Sequence, residues 1–598
     1  MTFDWKNPPG APAARRALKG PVKKILTSFL VGVISVGVAW AGAGLVPVND
    51  LTGELGTTEQ VPGATNPKRS HVSDGRVAAG FSAEDLAAGQ LLAGAAKVSL
   101  RPTPEAYQEQ FPGARWETDP KKCKTLTDEQ GFQEGLQDAD DLRVRWAENT
   151  DCIYMGGYGI GPMFPIVAWD DEYGLYSRSI AMSDGSETLV LTLLDAVYWE
   201  AHYDNLCKGC GFIDLAQSLS KQTGLAPESF VFASTHSHTS PDFIGGWGGV
   251  PRWYMQQTTD AMQTSVQAAL ASMQPAVLET GEVIARQFNG ERRDFYRSAE
   301  DDGVSWFRLV AASDQPTTET CSNPGGAAAP AAKPICEPAD SGTAIATVGA
   351  YAAHPVTADA GAGIGDADFP GVFAKRVEES FGGVGMFVQT GLGNMSPRGG
   401  KVEMGTGLAQ QIPAMGTGRL VENPNITIGR RFWDQPVTNV PLGHLGAAGV
   451  FDRTFNKTPA AISVGKSKYE NKQCHSASHI SVRTSVSAAK IGPLWITGGP
   501  GEVFSNLTNT IEERNPGGVT MALGLVNDGL GYIIQSFETD HVGRQGVGFV
   551  GTADVPDQSP VGPGQPLLGL SEYEDAYSID HCFGDAVLEY TIQLLGQI

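Results

Sequence analysis

Two histidines, His236 and His238, follow directly on the apolar run Phe230-Val-Phe-Ala-Ser-Thr and precede a Pro- and Gly-rich loop through Gly249. A strand that empties into a glycine-rich loop is a common seat for catalytic groups. The i, i+2 spacing predicts both imidazoles on one face of a strand. One neutral ring could hold a metal while the other handles protons. His354 repeats the pattern at the end of Ala344-Ile-Ala-Thr-Val-Gly-Ala-Tyr-Ala-Ala-His354-Pro355, with Asp359, Asp366 and Asp368 close behind. It is the candidate third imidazole. Met386-Phe-Val-Gln-Thr-Gly-Leu-Gly-Asn394-Met-Ser396 enters a glycine turn that exposes a serine, suited to nucleophilic attack or to binding substrate. It lacks the G-x-S-x-G spacing of the α/β-hydrolase elbow. Leu494-Trp-Ile-Thr-Gly-Gly-Pro-Gly-Glu502 delivers a carboxylate towards a helix start, where the macrodipole welcomes negative charge.

These groups need a scaffold of strands with their ends on one side. Strand candidates are Thr188–Leu194, Phe230–Ala233, Trp306–Ala311, Ala344–Ala352, Gly385–Val388, Leu494–Thr497 and Val519–Leu525. Helical windows lie at Leu215–Thr223, Trp253–Met273, Val372–Phe381, Val503–Arg514 and Ala586–Leu595. Their alternation predicts an α/β fold of layered mixed sheets flanked by helices, in one large catalytic-type domain over 85–598.

Composition narrows the function. Of 598 residues 41% are hydrophobic and 18% charged, as in a globular protein. A net charge of −23 disfavours nucleic acid, whose phosphates need basic patches. Near the start, Arg15, Arg16, Lys19, Lys23 and Lys24 precede an uncharged apolar stretch, Ile25 to Val46. It ends in small residues that offer A-x-A sites at Ala39-Trp-Ala41 and Ala41-Gly-Ala43. Residues 1–43 therefore read as a secretory signal, with an uncleaved anchor as the alternative. Residues 44–84 read as a flexible polar spacer. Export makes the eight cysteines disulfide candidates. Cys321 and Cys336, which bracket an insert at about 315–343, are expected to pair and close that loop. Cys207-Lys-Gly-Cys210 reads as a local disulfide or as pairing elsewhere, with metal or redox chemistry as the lesser alternative.

Taken in order, these blocks resemble the neutral (non-lysosomal) ceramidase family. Gly94-Ala-Ala-Lys-Val-Ser-Leu-Arg-Pro-Thr is similar to its opening strand, and Ser234-Thr-His-Ser-His-Thr-Ser-Pro to its T-H-[ST]-H-S-G-P block. Ala353-His-Pro-Val-Thr and Ala367-Asp-Phe-Pro-Gly are similar to its H-P-T and D-F-P-G blocks. Gly391-Leu-Gly-Asn-Met-Ser-Pro is similar to G-x-x-G-D-V-S-P. Gly499-Pro-Gly-Glu and Asn527-Asp-Gly-Leu-Gly-Tyr-Ile complete the series. The resemblance implies one zinc ion per chain, held by His236, His354, Glu502 and Tyr532. It makes His238 the proton-handling partner and Ser396 the serine that attacks or orients substrate. Arg292, or Arg293 beside it, would bind the carbonyl or its oxyanion. Tyrosine is an unusual zinc ligand, so Tyr532 enters by resemblance alone.

The departures are specific. Asn394-Met395 stands for the usual Asp-Val, Arg398 for an Asn, and Ser240 for a Gly; the family's C-terminal immunoglobulin-like domain has no counterpart before Ile598. The resemblance thus implies an exported zinc amidohydrolase that cleaves the N-acyl bond of ceramide or a related lipid to fatty acid and amine. Its partner would be a lipid substrate at a membrane surface, with neither nucleic acid nor protein partner expected. The alternatives are a zinc hydrolase of the same family acting on another amide or ester, and a non-catalytic surface binding protein.

Overall fold

A computed structural model describes residues 86–598, apart from 127–150, 159–160, 205, 293–299, 313–319, 323–334, 338–342, 448–451, 454, 467–472, 539–573 and 575–576. The expected signal or anchor, the spacer, Arg293 and most of the insert lie outside the described residues. Among those described, no helix is long and apolar enough to cross a membrane.

Eight strands form the main sheet: β1 (Leu91–Ser99), β2 (Tyr176–Ser183), β3 (Thr188–Leu194), β4 (Phe230–Ser234), β5 (Gln274–Ile284), β6 (Gly303–Ala311), β7 (Ala344–Tyr351) and β8 (Val384–Gln389). Their order is β8-β7-β6-β5-β1-β2-β3-β4, with the short Arg419–Leu420 strand paired to β5 off this path. The β3–β4 and β7–β8 pairs are parallel; the others are antiparallel. A second sheet runs β9 (Ile426–Pro436), β10 (Ser481–Ile491), β11 (Leu494–Gly498) and β12 (Val519–Leu523), its β11–β12 pair parallel.

The period-2 alternation of side chains shows how the sheets pack. On β3, Leu189, Leu191 and Leu193 face the second sheet, with Ile496, Met521 and Leu523 among the partners. Val190 and Leu194 face the opposite way, towards a helix layer. That layer holds α1 (Phe212–Thr223) and α2 (Arg252–Ala271). Farther along the same face, α3 (Asp368–Phe381) and α4 (Lys401–Ala409) pack through Phe369, Phe373 and Met404 on Trp306 and Phe387. Behind the second sheet, α5 (Ser505–Glu512) and α6 (Phe583–Leu595) cover Val486, Ala488 and Ala522. The result is four layers, helix–sheet–sheet–helix. Strands buried on both faces explain the continuous apolar runs in the sequence. Each fully buried Leu among them contributes about 1.5–3 kcal/mol.

Three disulfides join described cysteines: Cys123–Cys152, Cys207–Cys210 and Cys474–Cys582. The CxxC spacing therefore closes a local loop. The last pair ties the Gln473–Ser478 strand to the start of α6, across 108 residues. Backbone pairing sets Cys321 opposite Cys336.

Candidate active site

The carboxyl ends of β3, β4, β7, β8 and β11 feed loops into one region where the two sheets meet. Backbone hydrogen bonds lace these loops together. Ser234 N donates to Leu525 O at 3.2 Å, His236 N to Ala196 O at 2.8 Å, and His354 N to Met395 O at 3.2 Å. This convergence brings His236, His354 and Glu502 within mutual reach.

The expectation that His236 and His238 share a strand face is corrected here. β4 stops at Ser234, and His236 adopts φ 65°, a left-handed conformation that costs a non-glycine residue about 1–2 kcal/mol. Both histidines occupy the loop. That twist still brings the rings together, with the two Nε2 atoms 3.2 Å apart. Glu502 likewise differs from expectation. It sits in a two-residue strand with Val503, opposite Tyr532 in the parallel pairing with Tyr532–Ile533, and α5 begins only at Ser505.

Each imidazole is oriented from behind. The Nδ1 of His236 donates to the Val197 carbonyl at 2.9 Å, and that of His354 to the Met395 carbonyl at 3.1 Å. Both rings therefore present a bare Nε2 forward. Glu502 Oε2 lies 2.9 Å from His354 Nε2 and 3.4 Å from His236 Nε2. Its Oε1 accepts the hydroxyl proton of Tyr198. The tyrosine ring meets His236 edge-on at 5.0 Å and stacks on Trp247.

Burial and the surrounding charges set protonation. Burial and Arg292 hold His354 down to about 4. Burial, then His236 and His354, hold His238 well below the ordinary imidazole range. Burial would lift Glu502, but the two histidines overcome it and keep the carboxyl well below its usual range. A His354 imidazole held neutral beside an ionised carboxylate suits a cation. The donor atoms of His236, His354 and Glu502 lie within 4.8 Å of one another, and all three residues are buried. A tetrahedral cation bound at about 2.0–2.2 Å needs donors about 3.3–3.6 Å apart; the 3.4 Å between Glu502 and His236 falls in that range, and the 2.9 Å between Glu502 and His354 is shorter. The triad can hold a metal ion. The second cluster of ligand types, Cys474, His581 and Cys582, has its two sulfurs joined in a disulfide.

The remaining expected residues surround this triad. Arg292 donates through Nε to Glu574 at 2.7 Å and through Nη2 to Gly393 O at 2.8 Å and Tyr532 Oη at 3.1 Å. Its Nη1 lies 3.5 Å from His354 Nδ1. Arg292 is thus an anchor that ties Tyr532 and the Gly393 turn to the triad. Ser396 lies in the short strand Met395–Pro397, paired with Asn289–Glu291, and its buried Oγ meets no partner among the described residues. The Nδ1 of His238 is likewise unbonded. Gly157 makes room for that ring: it has φ 89°, and a Cβ there would lie 2.4 Å from His238 Nδ1. Tyr198, Val197 and Glu574 were not legible as site residues. Tyr198 alone carried a signal, since it follows the end of β3 by four residues, as the other candidates follow their strands.

Two solved structures share this architecture. A neutral ceramidase from Pseudomonas aeruginosa matches over 86% of this chain and 75% of its own, with TM-score 0.50 and 13% identity. A ceramidase complexed with C2 matches over 86% of this chain and 76% of its own, again with TM-score 0.50 and 13% identity. The fold is that of the neutral ceramidases. No family model and no curated protein matches the sequence. The neutral ceramidase resemblance first read from short sequence blocks therefore holds at the level of fold across most of the chain.

Proposed function

We propose that this chain is an exported zinc-dependent amidohydrolase that cleaves the N-acyl bond of ceramide or a related acyl-amide lipid. The observation that carries the reading is the triad of His236, His354 and Glu502, buried at the meeting point of the loops of a neutral ceramidase fold. The zinc ligands would be these three and Tyr532. A zinc ion there would supply Lewis acidity towards water and an acyl carbonyl.

The other roles follow from the side chains. In the reaction the amide C–N bond breaks, the acyl carbon gains the hydroxyl of water, and the amine gains its proton. His238 is held neutral and has an unbonded nitrogen, so it can accept that proton and return it to the leaving amine. Ser396 Oγ, buried and without a competing partner among the described residues, can attack or orient the acyl group. Arg292 would stabilise negative charge developing near Tyr532, and it helps burial hold His354 neutral.

Fatty-acid release from a long-chain ceramide by the purified mature chain, with and without a chelator, tests this. Release that the chelator abolishes and zinc restores is the expected result. No release of fatty acid from any acyl amide, by protein shown to contain zinc, would overturn it in favour of a binding role.

A further inference from the structure

The loop carrying Ser396 differs in charge from the family pattern it otherwise resembles. Asn394 stands for an aspartate and Arg398 for an asparagine, so the loop is two charges more positive, in a chain of net charge −23. Gly290 shows where Arg398 lies. In the pairing of Met395–Pro397 with Asn289–Glu291, Ser396 is directly opposite Gly290. A Cβ on Gly290 would fall 2.2 Å from Arg398 Nη2, so the guanidinium fills the space that glycine leaves empty. Opposed Cβ positions in such a ladder are about 4.5–5.5 Å apart and share a face. Arg398 is therefore the cross-ladder neighbour of the Ser396 side chain.

Arg398 is also an exposed residue. Among the described residues no carboxylate pairs with it, whereas nearby Lys401 is bonded to Asp170 and Asp366 and Arg292 to Glu574. A free cation beside the acyl-handling serine, in an acidic protein, selects for negative charge. The hydrocarbon tail beyond the carbonyl carries none, so the charge must sit on the amine half. Resting on the hydrolase reading above, we infer that Arg398 is a specificity residue and that the preferred substrate is an acyl amide with an oxyanion beside its nitrogen. The planar fork of arginine suits a carboxylate or a phosphate.

Two matched pairs of substrates test this. N-palmitoylserine and N-palmitoylserinol differ by a carboxylate in place of a hydroxymethyl, and ceramide 1-phosphate and ceramide differ by a phosphate. The zinc-loaded full chain should favour the anionic member of at least one pair in kcat/KM, and which pair identifies the oxyanion. Arg398→Gln should reduce that preference about tenfold. Arg398→Lys should keep part of it, and 0.5 M salt should shrink it in the wild type. Equal preference in wild type and Arg398→Gln, with ceramide still cleaved, overturns this inference and leaves the hydrolase standing. Turnover of none of the four substrates overturns this inference, and if no other acyl amide is cleaved by the zinc-containing protein either, the hydrolase reading falls with it.

Discussion

Replacing Tyr198 by Phe removes one hydroxyl and little else. The ring keeps its edge contact with His236 and its stacking on Trp247, at 5.0 and 6.3 Å between centroids. What disappears is the hydrogen bond to Glu502 Oε1. That oxygen belongs to a carboxylate only 2% exposed, so water cannot freely replace the donor. A hydrogen bond to a buried charge contributes about 1.5–3 kcal/mol, or roughly 10- to 150-fold in an equilibrium. Removing a group that orients a metal ligand typically weakens affinity about 10- to 100-fold. Tyr198→Phe should therefore raise the zinc dissociation constant by about 10- to 100-fold in competition with a chromophoric chelator. Turnover at saturating zinc should fall far less, because Ser396 and His238 are untouched. Circular dichroism separates this from loss of the fold. A well-folded variant binding zinc within twofold of wild type would refute the claim that Tyr198 orients Glu502.

Other perturbations probe the remaining parts. His238→Ala should keep zinc and lose about 10²- to 10⁴-fold in turnover, the usual contribution of a positioned acid–base group; retained activity would remove His238 from proton transfer. Gly157→Ala introduces a methyl 2.4 Å from His238 Nδ1 at φ 89°, so it should lower unfolding stability by about 1–2 kcal/mol and depress kcat with zinc content unchanged. His354 gives a pH dependence to the metal-free protein. Its folded pKa of about 4 lies below the ordinary value of 6.5, so between those pH values the unfolded chain binds the extra proton. Its contribution, up to about 3 kcal/mol, is complete above pH 6.5 and is lost as pH falls to about 4. The urea midpoint gap between wild type and His354→Gln should narrow over that window, and a constant gap would contradict it.

Much of the scaffold was readable because its strands are buried on both faces. Thr188–Leu194 was outlined to the residue, and Phe230 and Ala344 were both identified as strand starts. β5 and β10 were not singled out. They alternate, with polar residues such as Glu279 and Ser487 among the apolar ones, and their place depends on neighbours far along the chain. Helix α5 was expected from Val503, yet Glu502 and Val503 pair with Tyr532 and Ile533 instead. A strand partner 30 residues away outweighs local helix propensity there.

By itself the sequence determined the chemical inventory: two histidines after one strand, a third after another, a serine and a glutamate each in a glycine turn. Residue type and local period suffice for that, because each group is delivered by its own strand. Only the tertiary structure decided which of them meet. The left-handed backbone at His236, the carbonyls of Val197 and Met395 behind the rings, and Tyr198 on Glu502 all join segments from 39 to 304 residues apart. No local pattern encodes such contacts, because they exist only once the two sheets have packed and their loop ends share one space.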